Sequence, residues 1–279
     1  VGDALRVGRP PRRLRARDGS ALRLVRPATL RRREPGVRLG REEAGLSTYD
    51  AIASLYDAWS RSVTEDIQYY VEEACKAGSP VVELGVGTGR IAVPTAQAGV
   101  RVIGVDSSEG MLEVCRRRAE RAGVSELIDL RVGDLTDPPV PERVALVTSP
   151  FRALLHLKSD PARLTSLRAA RELLLPGGRF VFDVFAPGEE DMRETDGRWL
   201  EREPGIWERA DWDSEAHVLT LSVRGNGGET TMELAWLHPE RWRELLGEAG
   251  FNVVASYGWF DRRPYTGGED TVWVAERGG

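Results

Sequence analysis

Val81-Val82-Glu83-Leu84-Gly85-Val86-Gly87-Thr88-Gly89-Arg90 constrains this chain more than any other stretch. A short apolar run ends in three glycines at alternate positions, and a helical pattern follows. Residues without a Cβ allow a tight strand-to-helix turn and let a ligand press against bare backbone. The spacing then narrows the ligand. A dinucleotide fingerprint asks for Gly-x-Gly-x-x-Gly, whereas here the third glycine comes one residue early and position 90 is Arg. No Lys-Ser or Lys-Thr follows, so this is not a phosphate-cradling Walker loop. Glu83 adds an acid where a pyrophosphate would be repelled, and suits a cationic or zwitterionic cofactor.

Around this turn, strands and helices alternate. The patterns predict strands at Pro80–Leu84, Val100–Val105, Leu127–Val132, Val144–Thr148 and Arg179–Phe185. Between them lie helices at Arg90–Ala98, Ser108–Ala122 (with cap candidates Ser107 and Ser108) and about 160–175. Such an order, with short connections, implies a parallel sheet covered by helices on both faces. Residues 196–236 break the rhythm. Arg198–Trp212, Val218–Arg224 and Glu229–Trp236 read as antiparallel strands, with Asn226-Gly227-Gly228 as a hairpin turn. A helix at Pro239–Ala249, capped by Gly250, and strands at Asn252–Gly258 and Glu269–Ala275 complete the chain. Upstream, Tyr49, Ile52, Ala53, Tyr56 and Trp59 recur at helical spacing, and Thr64-Glu65-Asp66 starts a further helix.

Composition excludes several classes. The 279 residues suffice for one large or two modest domains. No run approaches the roughly 18 apolar residues of a membrane span. Cys75 and Cys115 form no Cys-x-x-Cys pair, and His156, His217 and His238 show no i, i+4 spacing. A disulfide scaffold and a structural metal are therefore not expected, and the location expected is cytoplasmic. Of 39 basic residues only Lys76 and Lys158 are lysines, so single arginines carry little signal.

Charge is uneven. Residues 1–43 hold 13 Arg against five acids, a net +8, so a total of −5 leaves −13 for residues 44–279. That acidic body disfavours nucleic acid as principal partner. Residues 1–45 read as a disordered arm, with a nucleic-acid or anionic-surface arm or a transit segment as alternatives. The chain opens on Val1 and its first methionine is Met111, so translated upstream sequence is a further reading of the arm. The domain is expected over 46–279, with N-terminal helices at 46–78 and the β-rich insertion at 196–236.

Two carboxylates join the glycine turn. Asp106 closes Val102-Ile103-Gly104-Val105-Asp106, 19 residues after Gly87, where it can accept both hydroxyls of a ribose or else cap the next helix. Asp134, in Val132-Gly133-Asp134-Leu135, can face an adenine amino group or serve an ordinary turn.

Together these motifs resemble the class I S-adenosylmethionine-dependent methyltransferases, from about Tyr49 to Ala275. The resemblance implies a Rossmann-like α/β fold with a mostly parallel seven-stranded sheet, its last strand pair fitting the antiparallel seventh strand. It implies S-adenosyl-L-methionine as cofactor, with Leu84, Gly85 and Gly87 along the methionine moiety and Glu83 near its ammonium. Asp106 would hold the ribose, Ser107 and Met111 would flank ribose and adenine, and Asp134 and Leu135 would meet the adenine edge. Ser149-Pro150-Phe151 follows the fourth strand, where cofactor and substrate meet. The early helix would fold over the cofactor, with Tyr56 reaching its carboxylate.

Subclasses separate by chemistry. Cytosine C5 methylation needs a nucleophilic Cys that this chain does not place. Amino methylation of DNA bases commonly uses a Pro-Pro-aromatic loop, and here one proline is missing. Catechol-type metal-dependent methylation needs clustered carboxylates and an amide, which are not seen. The small-molecule branch remains, acting on nitrogen or oxygen, with an arm-guided RNA or protein enzyme and a non-catalytic binder as alternatives. His156 is the candidate general base, or else a satisfied histidine. Phe151, Arg152 and Trp59 are candidate substrate contacts. Seven of eight tryptophans lie at 199–273, which predicts either an aromatic-lined pocket or packing of the insertion, and the chain reads as a monomer or homodimer.

Overall fold

The structure, a computed structural model, describes residues 56, 59, 64–225 and 228–278. The arm at 1–45, the helix expected from Tyr49 (apart from Tyr56 and Trp59, both helical) and Asn226-Gly227 lie outside these residues. The chain runs α1 (Glu65–Ala77), β1 (Val81–Leu84), α2 (Ala92–Gln97), β2 (Val102–Asp106), α3 (Glu109–Ala122), β3 (Ile128–Val132), β4 (Val144–Ser149), α4 (Asp160–Glu172) and β5 (Leu174–Phe185). There follow α5 (Glu189–Thr195), β6 (Arg198–Glu203), β7 (Ile206–Asp213), β8 (Val218–Gly225), β9 (Gly228–Ala235), α6 (Pro239–Glu248), β10 (Phe251–Tyr257) and β11 (Asp270–Arg277).

Seven strands form one sheet in the order β10-β11-β5-β4-β1-β2-β3. β1 pairs in parallel with β2 and β4, β2 with β3, and β4 with β5, while β11 runs antiparallel to both β5 and β10. Burial explains the composition of the central strands. All four residues of β1 are buried, since helices cover both faces and both must be apolar. One face packs under α1, α2 and α3 with Tyr69, Tyr70, Val81, Val102, Leu112 and Cys115 in its core. The other packs under α4 and α6 with Leu84, Phe180, Phe182, Trp242 and Leu245.

Helix ends follow local chemistry. The Ser108 hydroxyl caps α3 by accepting the Met111 N–H at 3.1 Å, and Gly123 ends it with φ +69°, a left-handed turn costly for a Cβ-bearing residue. Ser159 caps α4 in the same way.

The insertion is a second, four-stranded antiparallel sheet in the order β6-β7-β8-β9. Its inward side chains Leu219, Leu221 and Val223 share the core of the α4/α6 face. Two expectations need correction. Arg198–Trp212 is two strands, because Pro204-Gly205 turns the chain, with Gly205 at φ +77°. β5 begins at Leu174, before Pro176-Gly177-Gly178, and its register with β4 breaks there. The short helix α5 had no counterpart in the sequence pattern. The tryptophans pack: Trp236, Trp242 and Trp273 are buried, and Trp199 lies under the Arg224 guanidinium at 4.0 Å. No helix among the described residues is long and apolar enough to cross a membrane.

Candidate functional site

In a mostly parallel sheet, loops at the carboxyl ends of the strands converge, and the crevice there binds ligands. Here a cavity of ≈ 210 Å³ opens at those ends. Gly85 and Gly87 form one wall, Asp106, Ser107 and Met111 the next, and Gly133, Asp134 and Leu135 the third. Pro150, Phe151, Ala153, His156 and Leu157 close the β4 side, and Tyr56, from ahead of α1, also lines the cavity. The strand–loop–helix order of the sequence thus brings ten of the fifteen candidate residues together. Glu83, Leu84, Ser149, Arg152 and Trp59 do not line the cavity.

The glycines are needed for definite reasons. Gly85 has φ +76°, and a Cβ there would stand 2.8 Å from the Ala153 Cβ. Gly87, at φ +53°, would carry its Cβ into open space. Gly85→Ala is therefore expected to cost roughly 1–3 kcal/mol of stability. A thermal melt unchanged by the substitution would show that Ala153 can retreat.

Asp106 ties two walls together. Its Oδ2 accepts the Gly87 N–H at 2.8 Å, and its Oδ1 accepts the Ser108 N–H at 2.9 Å. The second bond is the helix-start role considered for it. An ionised carboxylate nevertheless offers about four lone-pair directions, so both oxygens can accept further hydroxyls. Asp134 is likewise shared: its Oδ1 accepts the Thr136 N–H at 2.8 Å and the Thr136 hydroxyl at 2.5 Å, an ordinary turn in the cavity wall.

Behind the glycine loop lies a buried polar cluster. Arg90 donates to both oxygens of Asp66 at 2.8 and 2.5 Å, and its guanidinium lies 4.3 Å from the centre of the Phe151 ring. Glu83 is 3% exposed. Burial pushes its carboxyl up to about 8; Arg90 pulls it down, while Asp66 and Asp106 push it further up. Tyr56, Trp59 and Phe151 meet edge to face, with centroids 5.7 to 6.2 Å apart. Trp59 directs its indole N–H to the buried Glu208 of β7 at 2.8 Å, which ties this side chain to the insertion. Arg152 pairs with Asp270 at 2.7 Å. Ser149 is fully buried and its hydroxyl has no hydrogen-bond partner.

His156 ends a 3-10 turn at Ala153–His156, and its imidazole is hydrogen-bonded to the Glu233 backbone on β9. Burial, with Lys158 nearby, lowers its pKa to about 4 against the pull of that bond, so it is neutral at pH 7. The Lys158–Glu233 pair fastens the same turn to the insertion.

Sequence reasoning passed over Gly133, Pro150, Ala153 and Leu157. The first two sit inside quoted motifs. The latter pair share the short turn with His156, and no period marks so short an element. Among the lining residues there is neither Lys nor Arg, and two carboxylates stand where hydroxyls or amino groups could meet them. Such a donor set fits an adenosyl group without phosphates, as in S-adenosylmethionine, and does not fit a dinucleotide.

Comparison with known proteins agrees. A family model for a methyltransferase domain matches residues 81–178. An uncharacterized methyltransferase from Geobacillus sp. is 31% identical over 196 residues, 66% of this chain and 86% of its own length. Demethylmenaquinone methyltransferase from Symbiobacterium thermophilum is 30% identical over 151 residues, 50% of this chain and 59% of its own. Among solved structures, the CcbJ methyltransferase from Streptomyces caelestis superposes with a TM-score of 0.74 at 30% identity, covering 84% of this chain and 99% of that one. Identity at that level across nearly all of a solved methyltransferase goes beyond a shared fold: the chain belongs to the class I S-adenosylmethionine-dependent methyltransferases.

Proposed function

We propose that this methyltransferase acts on a nitrogen or oxygen of a small-molecule acceptor, mainly by positioning it. The observation that carries the reading is the closed β4 side of the cavity. There Phe151, Ala153, His156 and Leu157 form the wall, and hydrogen bonding to β9 holds their turn under the second sheet. A side walled by a short turn and a second sheet suits a small acceptor better than a polymer. The −13 charge of residues 44–279 further disfavours a phosphate backbone.

Asp106 holds the ribose hydroxyls in this reading, Ser107, Met111 and Leu135 flank the nucleoside, and Asp134 meets the adenine edge. The Gly85–Gly89 loop carries the methionine moiety, with Glu83 toward its ammonium and Tyr56 toward its carboxylate. S-adenosylmethionine supplies, when bound, a methyl group on a positively charged sulfur, so departure needs no acid. The protein's part is to hold the attacking atom about 3 Å from that carbon and in line with the breaking bond. Pro150, Phe151 and Leu157 keep water away. His156, neutral at pH 7 and oriented by the Glu233 backbone, takes the proton that a hydroxyl acceptor must lose.

The test is a panel of amine and hydroxyl metabolites, RNA and peptides, offered with methyl-labelled S-adenosylmethionine. Label on small molecules alone is expected; label confined to RNA or peptide overturns the reading. With the acceptor in hand, His156→Gln is expected to lower kcat by about 10²-fold for a hydroxyl acceptor and much less for an amine. The pH profile separates the two as well. An imidazole base gives a limb near pH 4, where protonation removes activity. An amine acceptor gives a limb at about pH 8–10 set by its own proton.

A further inference from the structure

Phe151 and Arg152 are adjacent non-glycine residues with left-handed backbone, at φ 56° and 65°. Such a pair persists only where its surroundings over-determine it. Two carboxylates from neighbouring strands do so. Asp183, buried near the end of β5, accepts the Phe151 N–H at 2.8 Å, and the same Oδ1 accepts the Tyr70 hydroxyl of α1 at 2.6 Å. Asp270, at the start of β11, holds the Arg152 guanidinium, with both side chains 11% exposed.

The turn governs more than itself. The Arg152 carbonyl accepts the Leu155 N–H at 2.9 Å, so the 3-10 turn bearing Ala153 and His156 is built directly on it. Ala153 in turn packs directly against Gly85 in the cavity wall. A shift of Phe151 therefore moves Ala153 and His156 relative to the glycine loop. Asp183 does not line the cavity and has no part in the methyl transfer described above.

We propose that Asp183 is a positioning residue for methyl transfer: acting through the Phe151 N–H, it fixes the left-handed turn that forms the cavity wall between donor and acceptor. Tyr70 fixes Asp183. The inference rests on the cofactor occupying this cavity. Asp183 is faced by Tyr70 and Asp66 from α1, by Arg152 in the turn, and by Arg90. Burial pushes its carboxyl up to about 6; Tyr70 opposes this, Asp66 adds to it, and Arg152 and the Phe151 N–H oppose it, so it is ionised at pH 7.

Three full-length variants test this. Asp183→Asn retains an oxygen for both donors, Asp183→Ala removes it, and Tyr70→Phe removes only the orienting bond. Two quantities are read: the Phe151 amide proton by NMR, and the Kd for S-adenosylhomocysteine by calorimetry. In the wild type the amide proton is expected downfield, moving upfield as pH falls through about 6, where the carboxylate is protonated. In Asp183→Ala the amide should be upfield at every pH and Kd raised about tenfold, whereas Asp183→Asn should stay within about threefold of wild type.

An amide indifferent to pH and to Asp183→Ala overturns the proposal. So does a Kd unchanged in Asp183→Ala, or an Asp183→Asn variant as impaired as the alanine. Should Asp183→Ala not fold, Tyr70→Phe carries the test: its Phe151 amide should move and its Kd rise about threefold, and no change in either overturns the proposal. Wild-type protein silent to S-adenosylhomocysteine overturns the cavity assignment together with this one. Loss confined to the Asp183 variants leaves that assignment standing.

Discussion

Asp106→Ala is expected to raise the Kd for S-adenosylhomocysteine by at least about 10²-fold, the largest effect of any single substitution in the cavity. The change removes the carboxylate proposed to receive two ribose hydroxyls, and hydrogen bonds to charged groups contribute about 1.5–3 kcal/mol each. It also releases the Gly87 N–H, which Asp106 holds at 2.8 Å, so the glycine loop keeps only the Gly85 and Val86 N–H bonds to the Val105 carbonyl as ties to β2. The two losses separate in Asp106→Asn. That variant keeps an oxygen for Gly87 but sets an amide donor against the Ser108 N–H, so its melting temperature should fall by less than that of Asp106→Ala, which loses both bonds, while affinity still falls. Calorimetric titration of both variants decides the matter. Affinity within about threefold of wild type in Asp106→Ala, where each 1.4 kcal/mol counts tenfold, would remove Asp106 from cofactor recognition.

Glu83→Gln is expected to act in opposite senses on stability and on binding. The folded-state carboxyl titrates at about 8 against a reference value of 4.5. Folding therefore favours its protonated form. The stabilising contribution is complete below pH 4.5, declines as pH climbs, and is lost once pH passes about 8. Glutamine is nearly isosteric and cannot ionise, so at pH 9 the variant should be more stable by several kcal/mol, with about 5 kcal/mol as an upper bound. At pH 5 the two proteins should differ little. The same substitution removes the anion proposed to meet the methionine ammonium, so affinity should fall most at alkaline pH. Chemical denaturation at pH 5 and pH 9 tests the first part. A wild type equally stable, relative to Glu83→Gln, at both values would show that Arg90 compensates the buried charge in full.

Much of this site could be read from residue order alone, because a parallel sheet places successive strand ends side by side. Gly85, Gly87, Asp106 and Asp134 all lie at, or within three residues of, a strand's carboxyl end, and the sheet brings them to a single cavity. What could not be read was side-chain direction within a buried strand. Glu83 and Leu84 alternate along β1 and are buried, Ser149 is buried at the end of β4, and none of the three lines the cavity. Period-two patterns disappear when both faces are apolar, so no alternation marked those directions. Asp183 escaped notice for the same reason, being one acid in the apolar run Phe180–Phe185. The single strand expected at Arg198–Trp212 failed differently: Pro204-Gly205 is a strong turn signal that alternating charges on either side obscured.

The place of β11 also bears on how the enzyme is made. Synthesis proceeds from the amino terminus, yet this late strand lies inside the sheet, between β5 and β10. While a ribosome still holds residues 270–277, the edge of β5 has no neighbour and Phe182 lacks the Trp273 ring that stacks on it. Arg152 waits as well, since its partner Asp270 opens that same strand. The glycine loop and the tips of β2 and β3 precede that strand in the chain, whereas the wall formed by Phe151, Ala153 and His156 gains its Asp270 support only once residues 270–277 have been added. On the proposed roles of these walls, the growing enzyme gains a surface for its methyl donor before it gains a place for the molecule to be methylated.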